Sequence, residues 1–338
     1  MSLFASAHPN RRARRLVGIL TASVAVFALA ACSSPAEGDA ADDTRVYESD
    51  FGDIELPEKI ERIVSVDFYT PAALIDLGVM PVGVVNSYYT DTEGVGIPVQ
   101  YSSAVADAGV ASIGEYYELN LEAVAKADPD VIIATSDFLP LDDPLREELE
   151  KVAPIITFEA RDGESWRTRA TELAKILDKE DVLEPLVEKY DARRDEIKDQ
   201  YADILANEAV TVMVPVADEW GTYADTHFAT PILRDLGATF REQADDEVNE
   251  AKFPNWFSYE NLDRLSNADT IFVQPGNDEA FAALDTNTIW QNLPAVQRGM
   301  VFDYIPLSPT GSFGWASENL EDLADLFAQV QAKIDAQG

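Results

Sequence analysis

The chain has 338 residues and carries 62 Asp and Glu against 25 Lys and Arg, a formal charge of −37. A surface this acidic repels nucleic acid and anionic lipid headgroups, so neither is expected as a partner. One cysteine and two histidines exclude a thiolate cluster and a multi-histidine metal site, and no G-x-S-x-G elbow supports a serine nucleophile.

In chain order, Arg11, Arg12, Arg14 and Arg15 precede an apolar run of 16 residues from Leu16 to Ala31. A basic start, a short apolar stretch and small residues before a cut site make an export signal. The run is shorter than the ~20 residues of a membrane-spanning helix. Cys32 directly follows Leu29-Ala30-Ala31. That placement is what a bacterial lipoprotein signal requires. The thiol takes a diacylglyceryl chain, residues 1–31 are removed, and the new amine is acylated. Two or more acyl chains anchor stably, where one is marginal. An ordinary secretory signal is the plainer alternative, and Arg14-Arg15 leaves twin-arginine export open. The signal carries four arginines and no acid, so the mature chain holds 21 basic and 62 acidic residues, near −41. His8 leaves with the signal, and His227 is then the only histidine. Residues 32–44 are small and acidic and read as a flexible tether.

Val46 to Leu56 alternates around Gly52 like a short hairpin. Strands then alternate with helices. Arg62 to Val66, Val82 to Val85, Val131 to Ala134 and Ile155 to Phe158 read as strands; Thr70 to Leu77, Leu121 to Ala127 and Pro144 to Val152 read as helices. Glu164 to Leu177 is helical, and Asp181 to Ile204 reads as one continuous rod, with Pro185 in its tolerant first turn. The α/β pattern then restarts. Val210 to Val216, Thr270 to Gln274 and Val301 to Tyr304 are strands, Thr230 to Leu236 and Tyr259 to Leu265 are helices, and Trp315 to Ile334 is a terminal amphipathic helix. The alternation argues for α/β sheets with mainly parallel strands.

The halves echo each other. Thr70-Pro71 through Leu77-Gly78 resembles Thr230-Pro231 through Leu236-Gly237. Asn120-Leu121-Glu122 opens a helix that ends at Asp128-Pro129-Asp130, and Ser258-Tyr259-Glu260 opens one that ends at Ala268-Asp269. We therefore expect two Rossmann-like α/β lobes joined by one long linker helix, with a ligand cleft between them. The expected boundaries are 45–180 for the N-terminal lobe, 181–206 for the linker helix and 207–338 for the C-terminal lobe.

The segments Arg62 to Val66, Leu77 to Val84, Asn120 to Val124, Asp128 to Ile133, Ser258 to Glu260, Trp290 to Val296 and Gly299 to Val301 stand in a characteristic order and spacing. In that order they resemble the iron-siderophore substrate-binding lipoproteins of ABC importers, over roughly 46–335. The resemblance implies a non-enzymatic protein without a cofactor, held by its lipid on the extracytoplasmic face of the cell membrane. It would capture a ferric siderophore, whose Fe3+ stays with the chelator, and deliver it to a permease dimer with ATPase subunits. In the family, one Glu from each lobe docks into basic pockets of the permease. The motif matches carry this role onto Glu122 and Glu260.

A large, partly apolar chelate calls for aromatic residues in loops where strands end and helices begin. Tyr69, Tyr88, Tyr89, Tyr116, Tyr117 and Phe138 are candidates in the first lobe. Trp220, Tyr223, Phe253, Trp256, Phe313 and Trp315 are candidates in the second. Trp290 is assigned to the core. Arg161, Arg167 and Arg241 are possible cleft bases, with Arg241 placed to reach ligand oxygens. Gly114 to Glu118 carries two acids and no base, where the family often has Arg. This disfavours an anionic catecholate and favours a neutral or cationic ferric hydroxamate. Cobalamin and haem carriers share the family and remain the alternative ligand classes; an exported hydrolase is the alternative from another class. Direct iron coordination would need tyrosines with a carboxylate or a histidine, which Tyr116, Tyr117, Glu115 and His227 could supply.

Overall fold

The segment Val131 to Thr135 is buried at every position, as a parallel strand covered on both faces must be. Its residues alternate between two cores. Val131 and Ile133 enter a core shared with the linker helix and the C-terminal half, whereas Ile132 and Ala134 pack in a separate core with Val124, Leu139 and Leu149. This period-2 division fixes the strand's register, because a one-residue slip would exchange its two faces.

The computed structural model describes residues 44–67, 69–86, 108–115, 118–160, 165–217, 219–222, 230–241, 255–274, 278–304 and 311–338. A hairpin comes first, β1 (Thr44–Ser49) and β2 (Gly52–Pro57). Its turn is Asp50-Phe51, with Gly52 already paired to Ser49 rather than at the apex.

The N-terminal lobe follows: β3 (Ile63–Ser65), α1 (Thr70–Asp76), β4 (Gly83–Asn86), β5 (Ala111–Glu115), β6 (Glu118–Leu119), α2 (Leu121–Ala127), β7 (Val131–Thr135), α3 (Leu145–Leu149), β8 (Ile155–Phe158) and α4 (Ser165–Ile176). Then come α5 (Glu180–Gln200) and α6 (Ala202–Asn207). The C-terminal lobe holds β9 (Ala209–Pro215), β10 (Glu219–Thr222), α7 (Thr230–Asp235), β11 (Thr239–Phe240), β12 (Asn255–Ser258), a 3-10 helix (Tyr259–Asn267), β13 (Thr270–Val273), α8 (Asp278–Thr286), α9 (Thr288–Asn292), α10 (Pro294–Gln297), β14 (Val301–Asp303) and α11 (Phe313–Gln337). Among the described residues no helix is long and apolar enough to cross a membrane.

The two sheets repeat one plan. In the first, β4-β3-β7-β8 are adjacent and parallel; in the second, β11-β9-β13-β14 are. The helix ends repeat too. Gly78 (φ 74°) and Gly237 (φ 80°) take the left-handed conformation that a Cβ disfavours. In each case the next residue's N–H reaches five residues back, Val79 to Leu74 at 2.9 Å and Ala238 to Leu233 at 3.0 Å. Both ends are Schellman caps. Asp130 Oδ2 accepts from the N–H groups of Glu61 and Arg62 at the start of β3; Asp269 Oδ2 accepts from Ala209 N–H at the start of β9.

The expected single rod is broken. Tyr201 (φ −113°, ψ 24°) leaves the helical region between α5 and α6. Its ring is buried against Phe327 of α11, 5.5 Å between centroids, so tertiary packing bends a segment that local propensity would continue.

The lobes meet around the middle of α5. Asp235 of α7 accepts a hydrogen bond from Tyr190 Oη of α5 at 2.5 Å and pairs with Arg167 of α4. Trp166, Tyr190 and Phe313 form a mutual aromatic cluster with centroids 4.9 to 5.9 Å apart, and the Arg167 guanidinium lies 4.2 Å from the Trp166 ring. Nearby, Asp76 of α1 accepts from Gly314 N–H at 2.7 Å, joining the first lobe to the start of α11. A Cβ at Gly314 would come within 2.5 Å of that carboxylate, and one at Gly311 within 2.5 Å of the Tyr69 carbonyl oxygen. Burial, with the Asp235 carboxylate next, pushes the Tyr190 phenol far up, so it remains a proton donor. Asp235→Ala should lower unfolding stability in urea by about 2 kcal/mol, because it leaves the half-buried Arg167 guanidinium and the Tyr190 hydroxyl without their acceptor. Pairing it with Arg167→Met should recover a large part of that loss, and a strictly additive double mutant would show that the two groups do not interact.

Candidate functional site

In open parallel sheets, ligands bind beyond the carboxyl ends of the strands, where the strand order reverses. In the N-terminal lobe that point lies between β3 and β7, because the chain runs from β3 outward through β4 and β5 and returns to β7. The segments leaving β3 and β7 bring Tyr69 and Phe138 together, edge to face, with centroids 5.9 Å apart at 84°. Tyr69 is itself buried, at 6% exposure, and packs against the half-buried Phe138.

Behind Tyr69 lies a group the sequence reading missed. Arg169 of α4 is only 2% exposed, and its guanidinium is 5.2 Å from the Tyr69 ring. Asp67, fully buried, faces it. Asp67 Oδ1 accepts from Tyr69 N–H at 2.8 Å and Thr70 N–H at 2.7 Å, and Oδ2 accepts from Thr70 Oγ1 at 2.9 Å. The carboxylate thereby ties down the first turn of α1 and the backbone of Tyr69. Arg169 also lines a pocket of about 150 Å³ under the hairpin turn, with Tyr47, Phe51, Thr157 and Glu172.

Burial pushes the Asp67 carboxyl up to about 6, against the pull of Arg169 and of the Thr70 hydrogen bonds, with Asp137 adding a further push. The folded state therefore holds this proton more tightly than the unfolded chain, whose carboxyl titrates near 3.8. The Asp67 contribution is then most favourable near pH 4 and is lost as pH rises through about 6. Comparing urea midpoints of wild type and Asp67→Asn from pH 4 to 7.5 should show the variant gaining relative stability across that window. Parallel profiles would mean that Asp67 titrates alike in both states.

The other expected site residues fall out differently. Trp220 is fully buried and packs on Phe257 at 4.9 Å; Trp315 is 1% exposed and Phe313 is 4% exposed within the junction. These three are buried in the core, Trp220 on β10 and the other two at the start of α11. Trp256 alone keeps a large exposed surface, at 40%. Arg167 is held by Asp235 and Tyr190 in the junction rather than presented as a cleft base. Arg241 is exposed just past β11, where its guanidinium donates to the Phe240 carbonyl at 3.1 Å. Cys32, Tyr88, Tyr89, Tyr116, Tyr117, Tyr223, Phe253, Arg161 and His227 lie outside the described residues. Among the described residues no group of three or more His, Cys, Asp or Glu is placed to hold a metal ion.

Glu122 and Glu260 occupy matching places. Each is the second residue of its helix and is exposed; Asn120 caps the first helix through Ala123 N–H, and Ser258 caps the second through Glu260 N–H. The far ends of both helices are pinned at the amino ends of β3 and β9 by Asp130 and Asp269. A seven-residue helix spans about 10 Å, so the acids stand toward the opposite, carboxyl-end edge of each sheet. That is also the edge carrying Tyr69 and Phe138. The helix expected over Tyr259 to Leu265 is 3-10 in form and kinked at Asn261, with its buried positions three residues apart at Leu262 and Leu265.

Residues 64–306 match the family model described as periplasmic binding protein. The chain belongs to that family. Its members bind and hand on; they are not enzymes. The Fe(3+)-citrate-binding protein YfmC of Bacillus subtilis is 27% identical over 270 residues, covering 77% of this chain and 78% of that one. The probable siderophore-binding lipoprotein YfiY of the same organism is 25% identical over 325 residues, covering 91% and 96%. Among solved structures, the siderophore periplasmic binding protein from the fuscachelin gene cluster of Thermobifida fusca superposes with a TM-score of 0.62 at 26% identity, over 81% of this chain and 98% of that one.

Proposed function

We propose that this chain is the substrate-binding lipoprotein of an ABC importer and that it captures a ferric siderophore, of the hydroxamate class, for delivery to a permease dimer with its ATPase subunits. The observation that carries the reading is the family match across both lobes, together with relatives whose names speak of ferric citrate or siderophores. Phe138, half-buried and packed on the buried Tyr69, supplies apolar area at the edge where such folds bind ligands.

The preference for a neutral or cationic chelate rests on charge. Arg167 is engaged by Asp235, and Arg169 faces Asp67. Neither guanidinium offers an uncompensated charge to a tris-catecholate. The acids Glu115 and Glu118 are exposed beside β5 and β6. Quenching of intrinsic tryptophan fluorescence tests the assignment, titrated with ferric hydroxamates, ferric catecholates, ferric citrate, haem and cobalamin. Ferric hydroxamates should bind at least tenfold more tightly than the rest. Tight catecholate binding with no hydroxamate response would overturn the ligand class.

Glu122 and Glu260 form charge-assisted pairs with basic residues of the permease in this reading. Glu122→Gln with Glu260→Gln should leave chelate affinity unchanged and lower iron uptake by tenfold or more, measured with radioactive iron in cells. Anchoring follows from acylation of Cys32. Cys32→Ala should abolish labelling by radioactive palmitate and release the protein from the membrane fraction.

A further inference from the structure

A groove of about 340 Å³ runs along the C-terminal lobe between the 3-10 helix and the α9–α10 pair. Asp263 and Ser266 form one wall; Thr288, Ile289, Asn292, Leu293 and Pro294 form the other. The three-residue period of the 3-10 helix turns Leu262 and Leu265 into the core and leaves Glu260, Asp263 and Ser266 exposed. Asp263 stands three residues beyond Glu260, past a kink at Asn261. Its neighbour Arg264 is drawn the other way, with its guanidinium 4.6 Å from the Phe257 ring. Among the described residues, no lysine or arginine of this chain pairs with Glu260 or Asp263.

An apolar trough with a carboxylate on its lip suits one kind of guest. A long cationic side chain can lay its methylene stem on Ile289, Leu293 and Pro294 and turn its charged head to Asp263. An acidic guest is opposed by a chain of net charge −37, and a purely apolar guest leaves Asp263 desolvated without a partner. The first lobe has no such extension, because Ala125 and Lys126 stand one turn beyond Glu122.

We propose that the permease surface that receives Glu260 carries a second basic side chain, which lies in this groove and pairs with Asp263. The inference rests on the docking role assigned to Glu260 and deepens it: the two halves of the docking face are unequal, and the C-terminal half holds the stronger anchor.

The test uses the lipidated chain, loaded with ferric hydroxamate, and the importer's own permease–ATPase complex in lipid nanodiscs. The readouts are complex formation, stimulated ATPase activity and, separately, chelate affinity by fluorescence. Asp263→Asn should weaken docking several-fold, and Asp263→Lys or Ile289→Glu about tenfold or more, all with unchanged chelate affinity and, for the two Asp263 variants, an unchanged thermal midpoint. Because Asp263 is exposed and its Asn variant is isosteric, a folding defect is not expected, and the thermal midpoint exposes one if it occurs. Wild-type docking by all three variants, while Glu260→Gln docks weakly, overturns the groove and leaves the docking role of Glu260 standing. Weak docking by the Asp263 variants beside normal docking by Glu260→Gln keeps the groove as an anchor and removes that role. Normal docking by every variant overturns both.

Discussion

The carboxylate of Asp235 is the point on which the two lobes hang together. It accepts from Tyr190 of the linker helix and pairs with Arg167 of the first lobe, so three separate stretches of chain meet at one anion. Its setting is largely apolar, with Trp166 and Phe313 packed around the same tyrosine. In such a half-buried place an ion pair is held in part by what losing it would strand. The interaction gains its importance from position. Displacing the lobes at this height would part the charges and open the aromatic cluster together. The hydrogen bond from Gly314 N–H to Asp76 adds a second tie between the lobes.

The junction and the turn that carries Tyr69 are built from neighbouring residues. Arg167 and Arg169 are two positions apart on α4, and side chains so spaced leave a helix on different sides. One is directed to Asp235 and the lobe junction; the other is buried behind Tyr69 and faces Asp67. The turn that presents Tyr69 is fixed by Asp67 on one side, and on the other its carbonyl oxygen lies against Gly311. The turn is thus braced by both lobes.

The charge of the chain acts at two ranges. At long range the excess of acids discourages anionic partners and draws basic ones. At short range the few arginines are spent on internal contacts, Arg62 on the carbonyl oxygens of Ala127 and Asp128, Arg167 on Asp235, Arg193 on Glu321. Glu122 and Glu260 stand exposed at equivalent helix starts. Their equivalence descends from the repeated strand order, which puts the same helix end at the same edge of each sheet.

Much of this was legible in the residues themselves. Apolar runs such as Val131 to Thr135 and Ile155 to Phe158 marked buried parallel strands, because only strands covered on both faces lack alternation. The repeated Thr-Pro and Leu-Gly signals marked α1 and α7 and their glycine caps, because those preferences are local to a turn. The sequence also showed Tyr69 and Phe138 at the ends of strands. Arg169 left one overlooked trace: it stands on the same helical stripe as Trp166 and Leu173, where a cation must find a buried acid. Other features had no local signature. The break at Tyr201 depends on Phe327, far along the chain; the burial of Trp220 and Trp315 depends on elements that close over them; and the diversion of Arg167 depends on Asp235 in the opposite lobe. Periodicity records which face of an element is apolar. It does not record which distant element arrives there, and that arrival decided which aromatics and which arginines remained available for function.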